Sequence, residues 1–457
     1  MEDLAIRDGL IITPTGSLYG GIAASKGIIT YIGDNQGLPQ ARREIDANGK
    51  VVLPGMIDPH IHLGGAEEKR FESECRSESI SAAIGGVTTM MSFVRFGDVL
   101  GPRLNTYRKA REIGSASSFI DFKVHAYMLN DRHLNEMRAI MSEGVNSFKL
   151  MMGYSAEEAK TIGLEAIGWS LAYRVFEEAA KLGPSALVQM HCEEPEIISV
   201  LIAKLKEEGR EDIGGWSDSR PSICEAMHVY SAGLIAKKLG TQFYVVHASA
   251  RESVDIIREF KKQGTKIFGE TCPHYLLLNR NTNLGNLAKV NPPLRSSEDQ
   301  ERLWLGIKEG TIDTVGSDHV VQMRESKEGQ SLWEAKLGFA GMGATLSLLI
   351  SQGVNRGKIS WEKLVKITSE NTAKIFHLYP KKGALLPGAD ADIVIVDPEE
   401  EWKLGADCLQ SASNFSVYEG IKVKGRVKKT FVRGMLIAED ARLVAEEPNG
   451  NYIFPIW

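Results

Sequence analysis

Between residues 53 and 383, short apolar runs alternate with helical patterns eight times, and few folds accept that rhythm. The runs are GMIDPHIH (55–62), VTTMMSFV (87–94), FKVHAYML (122–129) and NSFKLMM (146–152), then ALVQMH (186–191), QFYVVH (242–247), TKIFGET (265–271) and IDTVGSD (312–318). Helical stretches such as PRLNTYRKAREIG and ARESVDIIREFKKQG lie between them, several closing on a glycine that stops the helix. Eight β/α units in one run predict a (β/α)8 TIM-like barrel, with its chemistry at the C-terminal ends of the strands. The flanks, residues 1–52 and 384–457, read as strands broken by Gly, Asn and Asp. The expectation is an α/β protein: a barrel over 53–383 and a small β-sandwich assembled from both termini.

Composition narrows the partners. A net charge of −5 is too small to make nucleic acid or an anionic membrane the main partner. The N-terminus MEDLAIRDGL lacks the apolar core of a signal peptide, and no apolar run reaches the ~18 residues of a membrane span. Five scattered cysteines, an odd number, fit a reducing cytoplasm better than a disulfide framework. Cys192, directly after His191, reads more readily as a small buried thiol than as a nucleophile.

The strand ends carry the chemistry. Residues two apart on a strand share a face, so His60 and His62 present two imidazoles side by side. Alone, this pair fits half a zinc site or two structural histidines equally well. The remaining strands change the balance. Strand four carries Lys149, strands five and six end in His191 and His247, and strand eight ends in Asp318. If the barrel forms, all six side chains meet at one mouth, and a divalent metal centre becomes the stronger reading. Lys149 fits less easily. Burial beside metal ions would lower its pKa, and the neutral amine can take up carbon dioxide as a carbamate able to bridge two ions. On chemistry alone, an ordinary ion-paired lysine remains the stronger reading. The other histidines (125, 133, 228, 274, 319, 377) read as structural, with His319 a candidate support for the neighbouring Asp318.

The segments PGMIDPHIHL, GGVTT, SFKLMMGY, MHCEE, VVHAS, GETCPHYL, KVNPPLR, TVGSDH and GALLPGADADIVIVDP, in this order, resemble the cyclic amidohydrolases: hydantoinase (dihydropyrimidinase), allantoinase and dihydroorotase. The resemblance spans nearly the whole chain. It implies two divalent ions, usually zinc, with Mn2+, Co2+ or Fe2+ as alternatives. His60, His62 and Asp318 would hold the more buried ion, His191 and His247 the second, and N6-carboxylated Lys149 would bridge them. It implies ring opening of a cyclic amide, imide or ureide by a metal-bridging hydroxide, with Asp318 as proton shuttle and Tyr154 hydrogen-bonding the developing oxyanion. Tyr154 also reads as a rim aromatic. Asn291 in KVNPPLR and Leu337–Gly338 in KLGFAGMG correspond to substrate-contacting loops, and a homotetramer or homodimer is implied. The tail EEPNGNYIFPIW has aromatics suited to such a contact.

Some positions depart from the pattern. Residue 64 is Gly, where similar dihydroorotases carry Arg, hydantoinases often an acid and allantoinases Asn. The following loop, GGAEEKRFESE, is unusually charged, and Val320-Val321 follow GSDH. Overall wording leans toward hydantoinase, while GFAGMG is closer to allantoinase. A specialised cyclic amide is the alternative substrate. A mononuclear barrel deaminase would not need Lys149, and a non-catalytic scaffold would not keep all six positions.

Overall fold

A computed structural model describes residues 1–13, 15–161 and 163–457. The N-terminal segment forms β1 (Glu2–Thr13), β2 (Gly16–Ser25), β3 (Ile28–Gly33), β4 (Ala41–Asp46) and β5 (Val51–Pro54). The barrel strands are β6 (Met56–His62), β7 (Val87–Phe93), β8 (Asp121–Tyr127), β9 (Ser147–Met152), β10 (Leu187–Cys192), β11 (Gln242–Val245), β12 (Ile267–Thr271), β13 (Thr314–Val315) and β14 (His319–Val320). The chain ends with β15 (Ile393–Lys403), β16 (Lys422–Val432), β17 (Met435–Glu439) and β18 (Arg442–Leu443).

Strands β6 to β13 pair in parallel in chain order, and β14 returns to pair with β6. Because β13 and β14 are two halves of one stretch of chain, the circle closes and the TIM-like barrel stands. Strands β7 to β10 are buried at every position, as a sheet covered on both faces requires. The surrounding helices form for local reasons. Helix Arg251–Lys262 buries Val254, Ile257 and Phe260 at helical spacing and turns its charged face outward. Helix Ser297–Glu309 starts at a reciprocal Ser296–Asp299 capping box.

Two boundaries differ from the sequence reading. The sixth strand stops at Val245, and His247 lies past it with a φ of +40°. The eighth, expected to run unbroken over 312–318, is split at Gly316-Ser317-Asp318. A Cβ on Gly316 would lie 2.9 Å from both Glu270 Oε2 and His60 Cβ, so the chain there is pressed against the barrel interior. The Ser317 N–H donates to Asp58 Oδ1 (3.0 Å) instead of to a ladder. Asp318 adopts a φ of +50°.

The second sheet runs β18-β17-β16-β15-β5-β1-β2-β3, with β4 beside β1. Short β5 lies between β1 and β15, so strands from both ends of the chain are sewn together just before the barrel begins. The C-terminal tail folds back on the barrel's N-terminal rim. Phe122 N–H donates to Asn451 O, and Ile453 N–H donates to Phe122 O. Of the tail side chains expected to be exposed, Tyr452 is therefore buried within this chain, while Phe454, Ile456 and Trp457 remain open to solvent.

Candidate metal centre at the barrel mouth

All ten residues singled out in the sequence gather at the C-terminal mouth. His62, Lys149, Tyr154, His191, His247, Asn291, Asp318, Leu337 and Gly338 line one cavity. His60 lies beneath it, with its Nε2 3.3 Å from His62 Nε2.

Three atoms form a nearly equilateral triangle. Asp318 Oδ1 is 3.2 Å from both His60 Nε2 and His62 Nε2, which are themselves 3.3 Å apart. These spacings match the edge of a tetrahedron around zinc, about 3.3 Å for bonds of ~2.0–2.1 Å. Hydrogen bonding accounts for the triangle less well. His60 Nδ1 meets Glu270 Oε1 at 2.6 Å, so the ring's proton is spent there and Nε2 offers a lone pair. Burial keeps the His60 pKa well below its ordinary value, so no second proton is available. The His60 lone pair, His62 and the Asp318 carboxylate thus converge in a group that could hold a cation.

A second pair stands beside the first. His191 Nδ1 is 3.0 Å from His247 Nε2, and the rings of His60 and His247 are 5.2 Å apart. His191 Nε2 is held by Glu193 at 2.8 Å, and Glu193 in turn meets the buried Arg220 at 3.3 Å. Two imidazole nitrogens make an incomplete site. The side chain between the pairs is Lys149, whose buried Nζ has no hydrogen-bond partner among the described residues and sits 4.7 Å from the Phe93 ring centroid. Burial lowers its pKa to about 8.

Backbone geometry at the ligands is costly. His247 and Asp318 are non-glycine residues at positive φ, worth of order 1–3 kcal/mol each. Buried carboxylates hold them there. Glu270 accepts from the His247 N–H (2.9 Å) as well as binding His60, and burial raises its pKa to about 8. Asp58, raised by burial to about 6, binds the His60 and Ser317 N–H groups and staples the first strand to the break in the eighth. Sequence reading missed Asp58, Glu193, Arg220 and Glu270 as supports. Three of them lie inside IDPHIH, MHCEE and GETCPH, but only the barrel register shows that they face the histidine cluster.

Tyr154 is nearly buried, its ring 5.2 Å from His191, and burial raises its hydroxyl pKa, keeping it a neutral donor. The Asn291 carboxamide is buried within hydrogen-bonding reach of the Tyr154 hydroxyl. Gly338 lines the cavity, but its N–H donates to Lys289 O and its carbonyl accepts from Lys327 Nζ. Gly64, at a φ of +77°, has no room for a side chain: a Cβ would meet Phe71 at 2.4 Å. His319 faces away from the cavity, accepting from the Gly341 and Met342 N–H groups while its Nε2 meets Glu78 at 3.0 Å. His125, His133 and His228 are engaged elsewhere, with Pro59 O, Gly101 O and Glu194. Cys192 and the other four cysteines are unpaired.

The family model described as Amidohydrolase family matches residues 51–437. A D-hydantoinase of Geobacillus stearothermophilus is 33% identical over 466 residues, covering 98% of this chain and 95% of the relative. An allantoinase of Rubrobacter xylanophilus is 30% identical, covering 99% and 98%. The solved L-hydantoinase (dihydropyrimidinase) of Arthrobacter aurescens superposes with a TM-score of 0.92 at 29% identity, covering 99% of this chain and all of that one.

Proposed function

Because the chain belongs to the amidohydrolase family, whose members are metal-dependent, we propose that it opens a cyclic amide, imide or ureide with two divalent ions, of which zinc fits best. It is a cyclic amidohydrolase of the hydantoinase and dihydropyrimidinase kind. One observation carries the metal reading furthest: the buried, partnerless Lys149 amine between two groups of ligands. An ammonium there would be desolvated and unpaired. A carbamate on Nζ would offer an anionic donor to a metal ion held by His191 and His247 and to one held by His60, His62 and Asp318.

When bound, divalent ions would lower the pKa of the attacking water and polarise the ring carbonyl. The chain's own residues do the rest. Asp318 Oδ1, fixed by the broken strand, takes the proton of the attacking water and passes it to the leaving ring nitrogen. Tyr154 donates its hydroxyl proton in a hydrogen bond to the carbonyl oxygen as charge develops. The Asn291 carboxamide beside Tyr154 offers a donor and an acceptor to the ring amide, and Leu337 and Gly338 line the same cavity. The unpaired thiols support a cytoplasmic setting, and exposed Phe454, Ile456 and Trp457 support assembly as a homodimer or homotetramer.

The test is a ring-opening screen of hydantoin, dihydrouracil, allantoin and dihydroorotate with protein reconstituted in zinc and bicarbonate, alongside metal analysis. Turnover of at least one ring with about two ions per chain is expected. No turnover of any ring, or one tightly held ion per chain, overturns the dinuclear hydrolase.

A further inference from the structure

Resting on the hydrolase reading above, we propose that Lys289 and Lys327 are positioning residues: two buried amines that clamp the loop 327–338, so that Leu337 and Gly338 present a fixed wall to the ring. That loop is a partition. On its inner side Lys336, Leu337 and Gly338 line the cavity over the histidine cluster, about 240 Å³. On its outer side Trp333, Glu334, Ala335, Lys336 and Leu337 line a second cavity of about 590 Å³. Side chains in a packed core hold one another in place, but a wall with open space on both faces has to be held by directed bonds.

Those bonds come from the two lysines. Lys289 Nζ donates to Ala335 O (2.7 Å) and Trp333 O (3.2 Å), in the middle of the wall. Lys327 Nζ donates to Gly338 O (2.6 Å), which closes the two ends of the loop on each other, and to Lys289 O (2.9 Å). The Gly338 N–H donates to that same Lys289 carbonyl at 3.0 Å. Lys289 is thus the node. Asn291, two residues further on, lines the same cavity, so the segment carrying Asn291 and the segment carrying Gly338 meet at one carbonyl. Both lysines are almost wholly buried, with Lys289 Nζ 4.3 Å from the Trp216 ring centroid and Lys327 Nζ 5.6 Å from that of Phe339. Burial, aided by Arg220 and opposed by Glu158, brings the Lys289 pKa down to about 7, and burial holds that of Lys327 well below its ordinary value. A neutral amine still has the two N–H groups these bonds need. Burying an amine is costly, so two of them committed to one loop mark a place where position counts.

The histidine cluster is held separately. Asp58 and Glu270 fix His60, His247 and the Ser317 turn. Loosening the wall should therefore weaken the hold on the ring and leave the attack on its carbonyl largely alone.

The experiment is steady-state kinetics of the metal-loaded enzyme and its Lys289→Met and Lys327→Met variants. The substrate is whichever of hydantoin, dihydrouracil, allantoin and dihydroorotate the unaltered enzyme opens fastest. We expect KM to rise at least about tenfold in each variant, while kcat per metal-loaded chain stays within about threefold. A merely structural role would lower the folded fraction, and so the apparent kcat, without moving KM. A KM within about twofold of the unaltered enzyme in both variants overturns the clamp. Asn286→Ala covers the case in which neither lysine variant folds, because it removes only the amide's bonds to Gln330 O (2.9 Å) and Lys327 O (3.5 Å) at the outer end of the same loop. Its KM should still rise about twofold to threefold, and no rise overturns the proposal. Hydrogen exchange across 327–338, read without substrate, should quicken in the lysine variants while β7 to β10 stay level, and unchanged exchange also overturns the clamp. Because exchange needs no turnover, an unaltered enzyme that opens no ring would remove the hydrolase reading and leave the clamp to stand or fall on exchange.

Discussion

The two ends of this barrel each bury a lysine, and they treat it in opposite ways. At the N-terminal end, Lys382 is fully buried among three aspartates: it is bonded to Asp121, 2.7 Å from Asp392 and 2.9 Å from Asp390. Arg433 also bonds Asp121, and the Asn451 N–H reaches the same carboxylate at 2.8 Å. At the C-terminal end, Lys149 is equally buried and has no hydrogen-bond partner among the described residues. The first arrangement is complete without any ligand, and it ties the start of β8 to the sheet built from the termini. The second has no such partner, and that is what the proposed carbamate and metal ions would supply. Buried charge does not by itself mark an active site. Buried charge that the fold leaves unanswered does.

Exchanging each lysine for methionine tests that contrast most directly. Lys149→Met should cost turnover at least about a thousandfold, with metal lost in parallel, while the thermal midpoint of the metal-free protein stays level or rises, because an unpaired buried amine has been removed. Metal analysis and calorimetry on the same sample decide it, and a variant that unfolds but keeps its metal breaks the comparison. Lys382→Met should do the reverse. Three aspartates lose their common partner, at about 3–5 kcal/mol of stability by denaturant titration, with kcat per folded molecule little changed. Tyr154→Phe removes one donor without disturbing either cluster. A fall in kcat of roughly tenfold to a thousandfold at near-constant KM is expected, and a change confined to KM would return Tyr154 to a rim aromatic.

The smallest effect concerns a third buried lysine. Lys123 donates to the Gly144 carbonyl and has no acid among the causes of its shift; burial lowers its pKa from 10.5 to about 7. Between those values the unfolded chain holds a proton that the folded chain has released, so this lysine's contribution makes stability rise as pH increases from about 7 to about 10.5, and that contribution is lost as pH falls through 7. The slope is at most about 1.4 kcal/mol per pH unit. Lys123→Met should flatten it, as read from unfolding at stepped pH, and an unchanged slope would show that this amine is answered after all.

The candidate ligands His60, His62, His191, His247 and Asp318 were legible because each ends or follows an apolar run, and one topology then sends them to the same rim. His60, His62, His191 and Asp318 needed no contact map. Their supports did. Glu270 meets His60 across 210 positions of sequence, and only the closing of the barrel, β12 on β13 and β14 on β6, brings them face to face. Likewise Asp390 and Asp392, in the run GADADIVIVD, read as turn acids before the fold closes them on Lys382. The broken eighth strand was hidden for another reason. Its apolar spacing is that of a strand, and what interrupts it is a contact, Ser317 with Asp58, made by a distant segment.

That interruption shapes how the molecule would fail. The wall of the cylinder is thinnest where its last stave consists of two pieces of two residues each. The gap between them holds Asp318, the carboxylate proposed as the carrier of the proton. Mechanical slack anywhere around the ring would gather at this joint, so ageing or heat should spoil the timing of the chemistry while the rest of the body still stands.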